Sequence, residues 1–130
     1  MRHPKAEEWE ARLQEALDKV DTALEAEYGD RYPLHPARLP HGQAASRKYD
    51  GLFQLGASFS AGFGSKLGPG YILDVRMVTL SRVPEAERDA IVAQAIEMLR
   101  AELATAFPDT SLSIDRDGSV YKLHGDLSLD

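Results

Sequence analysis

A chain of 130 residues suits one domain and is short for two, and its 43% hydrophobic and 28% charged residues exclude a disordered chain. It has no cysteine, which excludes a disulfide scaffold, a thiolate metal site and a cysteine nucleophile. The net charge of −6 argues against broad attraction to nucleic acid or anionic lipid.

That charge is unevenly spread. Residues 1–30 carry −5, residues 31–82 carry +5, and residues 83–130 carry −6, so a basic middle is flanked by acidic ends. The start runs from Met1-Arg2-His3-Pro4-Lys5 into Glu7, Glu8 and Glu10 with no apolar stretch, so no secretory signal is expected. No apolar run approaches the ~20 residues of a membrane span. A single cytoplasmic domain over 1–130 is the expectation.

The first element is a helix over 5–28. Trp9, Leu13, Ala16, Leu17, Val20, Leu24 and Tyr28 recur at steps of three and four, and Gly29 stands where a helix ends. The remaining positions are mostly charged and read as a solvated face. Residues 29–51 form an irregular loop, because Pro33, Pro36 and Pro40 keep the chain out of helix. Such long connections are functional or disordered, and Leu34, Leu39 and Tyr49 predict a loop laid over the core.

The segment 52–80 is a hairpin. Phe53, Leu55, Ala57 and Phe59 alternate with polar or small residues, a glycine-rich turn follows, and Tyr71, Leu73, Val75, Met77 and Thr79 alternate again. A second helix over 84–107 opens at Pro84, with Glu85 and Glu87 at its positive end. Its stripe is Ile91, Val92, Ala95, Ile96, Leu99, Leu103, Ala106 and Phe107. A second hairpin over 110–127 turns at 115–119. The fold class is therefore α+β: a two-layer α-β-β-α-β-β arrangement, both helices packed on one face of a mainly antiparallel four-stranded sheet. The sequence leaves the strand order open.

Strand parity gathers Gln54, Ser58, Ser60, Asp74, Arg76, Lys122 and His124 on the face away from the helices, with Gly56 leaving space. Arg76, Lys122 and His124 there, Arg38, Arg47 and Lys48 in the loop, and Lys66 in the glycine-rich turn are the candidate ligand-binding residues, suited to an anionic small molecule. The turn around Lys66 lacks the strand-before, helix-after context of a phosphate loop. His35, His41 and Asp50 are weighed as metal ligands. Six-residue spacing in an irregular loop fixes no geometry, and no second carboxylate cluster is expected nearby, so no metal site and no cofactor are assigned. No serine or histidine sits in a triad motif, so no catalytic residue is named.

The reading that follows is a non-enzymatic binding or assembly module, self-associating as a homodimer through a strand edge or the open sheet face. The alternative is an enzyme acting on a phosphorylated or carboxylated small molecule. RNA binding ranks last, because Phe53 and Tyr71 fall on the helix side, where no base could stack.

Overall fold

The apolar stripe of the first helix does what its spacing requires. In the computed structural model, which describes residues 4–44, 50–62 and 66–125, α1 spans Pro4–Tyr28 and buries Leu13, Ala16, Leu17, Val20 and Leu24. Gly29 ends it by close approach, without the left-handed conformation common at helix ends. A Cβ there would stand 2.4 Å from the Glu25 carbonyl oxygen. The second helix, α2, spans Glu85–Ala106 behind Pro84 and buries Ile91, Ala95, Ile96, Leu99 and Leu103. Its last turn closes where the Phe107 N–H donates to the Leu103 carbonyl.

Among the described residues four strands, β1 (Phe53–Ser60), β2 (Gly70–Met77), β3 (Leu112–Asp117) and β4 (Val120–Gly125), form one antiparallel sheet in the order β1-β2-β4-β3. The hairpins meet through β2 and β4, paired at Tyr71↔Leu123, Ile72↔Lys122 and Leu73↔Tyr121. The second hairpin turns at Gly118-Ser119, tighter than 115–119, with Gly118 at φ 67° in the first central position, where a two-residue turn favours glycine. The α+β arrangement is thus the one expected, with helices packed on the sheet and its strand order now fixed.

One face of the sheet, with Phe53, Leu55, Leu73, Ile114 and Leu123, shares a single core with both helices. Trp9 ties α1 to β2 and to the residue that ends α2: its ring stacks on Tyr71 at 5.1 Å and on Phe107 at 5.0 Å. Among the described residues no helix is long and apolar enough to cross a membrane.

Candidate functional site

The proline-rich segment after α1 is bound down along its length. Tyr32 donates from its hydroxyl to Oε2 of Glu87 at 2.6 Å, and Arg31 donates to Oε1 of the same carboxylate at 3.0 Å. Thr79 donates to the Pro33 carbonyl, and the His35 N–H donates to the Val78 carbonyl. Leu39 then pairs with Asp50 in a short parallel bridge, and the Gly51 N–H donates to the Leu39 carbonyl at 2.7 Å. Arg38 turns inward to donate to the carbonyls of Asp50, Gly51 and Phe53 at 2.6, 3.2 and 2.9 Å. The predicted candidate Arg38 therefore clamps the chain to the start of β1.

The Glu87 contacts shift protonation in a consistent direction. Hydrogen bonds from Tyr32 and then Arg31 hold the Glu87 carboxyl below its ordinary value. The bond to Glu87, helped by desolvation, pushes the Tyr32 hydroxyl up. A glutamate that reads from sequence as simple helix-start charge is the point where the loop attaches to α2.

Between this segment and α1 lies a cleft of about 710 Å³, with Glu25 and His41 on its wall beside Tyr32, Pro33, Leu34 and Pro40. Asp21 stands one helical turn before Glu25 and is only 2% exposed. One ligand atom each from Asp21, Glu25 and His41 lies within 4.8 Å of the others. Asp50, 1% exposed, completes the surroundings. Its Oδ2 accepts from the N–H groups of Gly42 and Ala44, and its Oδ1 faces Nδ1 of His41 at 3.5 Å. Glu25 is oriented by the Phe53 N–H, which donates to Oε1 at 2.9 Å. Gly51, at φ 70°, makes room for it: a Cβ there would sit 2.2 Å from that oxygen.

Asp21 and Glu25 fall on the face of α1 that the sequence reads as solvated, and the structure corrects this: Asp21 is buried and Glu25 half-buried, with His41 of the loop beside both. The available signal was an acidic pair four residues apart immediately beside Val20 and Leu24 on the apolar stripe. His35 does not join the group; its Nδ1 accepts the Ala37 N–H at 3.0 Å.

The other candidates lie elsewhere. Pairings of Gln54 with Arg76, Ile72 with Lys122 and Lys122 with Asp115 bring Arg76, Lys122 and His124 onto the face away from the helices. Each has an acidic neighbour: Arg76 with Asp74 at 2.8 Å, Lys122 with Asp117 at 3.4 Å, His124 with Asp115 at 2.7 Å. The Lys122 side chain is 1% exposed. Lys66 is exposed in the turn between β1 and β2. Arg47 and Lys48 lie outside the described residues.

Over residues 4–125 the chain matches a protein family described as "Uncharacterised protein". It is 41% identical over 106 residues to a protein of Borreliella burgdorferi described in the same terms, an alignment covering 82% of this chain and 83% of the relative. No solved structure matches it.

Proposed function

Because the chain belongs to that family of uncharacterised proteins, we propose a function from its own geometry: a non-enzymatic binding module that holds a small cationic ligand in the cleft between α1 and residues 31–41. The observation that carries this reading is the acidic group at one wall of the cleft. Glu25 lies on its wall, and the Asp21 and Asp50 carboxylates are buried close by. Pro33, Leu34 and Pro40 offer apolar surface to the rest of a ligand, the mixture usual in small-molecule sites. The cleft is favoured over the sheet face because Arg76, Lys122 and His124 on that face already have carboxylate neighbours. A cytoplasmic setting fits the cysteine-free composition. Self-association through the outer edge of β1 or β3 belongs to the same reading, and sedimentation velocity tests it, a strict monomer counting against it.

The ligand class is tested by titrating the 15N-labelled chain with 1,4-diaminobutane and, separately, with inorganic phosphate. The diamine is expected to shift the amides of Glu25, Gly29, His41 and Gly51 saturably. Phosphate shifts confined to Arg76, Lys122 and His124, with no response to the diamine, would move the site to the sheet face and restore an anionic ligand.

A further inference from the structure

We infer that Asp21, Glu25 and His41 bind one divalent first-row transition-metal ion at the wall of the cleft, with Asp50 as the outer carboxylate that orients His41. The inference rests on the reading of this cleft as the ligand site and names the ligand it takes.

The scaffold is built before any ion arrives. Asp21 and Glu25 project from neighbouring turns of one helix, so their relative position is set by α1 itself. The Phe53 N–H fixes one Glu25 oxygen, and Gly51 keeps the space beside it clear. The three ligand atoms already lie within 4.8 Å of one another. Neighbouring ligands around an ion bound at ~2.1 Å stand roughly 3–3.5 Å apart, so binding requires them to draw in by about an ångström.

Asp50 is the second, independent observation. It is 1% exposed, and its Oδ1 accepts no hydrogen bond among the described residues. That oxygen faces Nδ1 of His41, while Oδ2 is held by two backbone N–H groups. Histidines that ligate metals recurrently give their other ring N–H to a carboxylate, which fixes the tautomer and leaves a lone pair for the ion. Buried carboxylates are otherwise expensive unless paired or coordinating a metal.

The donor set also selects the ion. Two carboxylates and an imidazole suit zinc, manganese or ferrous iron, whereas calcium and magnesium prefer oxygen throughout. Three protein ligands leave coordination positions for water or for a ligand atom entering from the cleft.

The test uses the full untagged chain, stripped with EDTA and titrated calorimetrically with ZnCl2, MnCl2 and CaCl2. One equivalent of zinc or manganese is expected to bind, with calcium at least 100-fold weaker. His41→Ala and Glu25→Gln should each weaken zinc more than 10-fold, and Asp50→Asn about 10- to 100-fold. Cobalt(II) should give a d–d absorption spectrum that His41→Ala abolishes. Circular dichroism of the metal-free variants separates a lost site from a lost fold, and the wild-type calcium comparison needs no variant. Absence of stoichiometric zinc or manganese binding overturns the inference, as does binding that His41→Ala and Glu25→Gln leave intact. If 1,4-diaminobutane still shifts the cleft amides while zinc does not bind, the metal falls and the cleft stands; if neither binds, both fall.

Discussion

The carboxylate of Asp50 divides its two oxygens between two tasks. Oδ2 holds the turn at Gly42 and Ala44, and Oδ1 faces the imidazole of His41 at 3.5 Å. One buried side chain thus sets both the path of the loop and the surroundings of the histidine it presents. Because Asp50 also pairs through its backbone with Leu39, the loop is anchored at the point where it approaches α1.

Replacing Asp50 by alanine should therefore cost about 2–3 kcal/mol, the loss of two hydrogen bonds to a charged acceptor that leaves their donors unsatisfied. Urea denaturation measures the cost. Amide exchange at Gly42 and Ala44 should accelerate selectively, because those N–H groups lose their acceptor. An unchanged urea midpoint with both amides still protected would show that the turn is held by something else.

Gly51 and Glu25 should show coupled effects. A side chain at position 51 must adopt φ near 70° and meets the Glu25 carboxylate. Gly51→Ala should cost about 1–2 kcal/mol from the backbone alone and more from the collision. Combining it with Glu25→Ala removes the collision, so the double variant should lose less than the sum of the singles, by at least 0.5 kcal/mol on the usual scale of contacting pairs. Gly56→Ala is the control: nothing lies within 4 Å of its Cβ position, and its φ is ordinary, so its cost should be near zero. Strict additivity of the first pair would mean that the backbone relaxes away from Glu25.

These residues mark what the sequence could and could not disclose. The stripe from Leu13 to Leu24 repeats with the helical period, and Phe53, Leu55, Leu73 and Leu123 alternate with the strand period, so helices, hairpins and their buried faces follow from local spacing. The joining of β2 to β4 has no such local signal, because it depends on which edges meet. Asp21 and Glu25 read as solvated for the same reason: His41, which stands beside them, comes from a proline-punctuated segment with no periodicity from which to infer its course. His41 and Asp50 can be paired as candidates from sequence, but the carboxylates that join them come from a helix.

Arg38 is expected to matter for stability more than for ligand affinity. Its guanidinium donates to three main-chain carbonyls at the entry to β1. Arg38→Met should cost about 3 kcal/mol, since each carbonyl loses a charge-assisted donor. Arg38→Lys should recover only part of that, because an ammonium lacks the planar fork that spans several acceptors. Equal stability of the two variants would indicate that only the buried length of the side chain counts.

The tether at Glu87 makes loop docking sensitive to pH at both extremes. Its carboxyl lies below the ordinary 4.5 because Tyr32 and Arg31 stabilise the ionised form. The stability it contributes is therefore present above that value and lost as pH falls through the lower folded-state value. For Tyr32 the sign reverses. Its hydroxyl is raised above the ordinary 10.0, so its contribution is present below pH 10 and lost as pH rises through the folded-state value. Urea midpoints between pH 3 and 7 should show wild type above Glu87→Gln near neutrality, with the gap closing in acid. Between pH 9 and 11 the gap between wild type and Tyr32→Phe should close in the same way. Added salt should shrink the Arg31 share, because both partners are partly exposed, while leaving the Tyr32 hydrogen bond largely in place. A gap that persisted unchanged at pH 3 would show that the tether acts through packing, with the charge on Glu87 irrelevant.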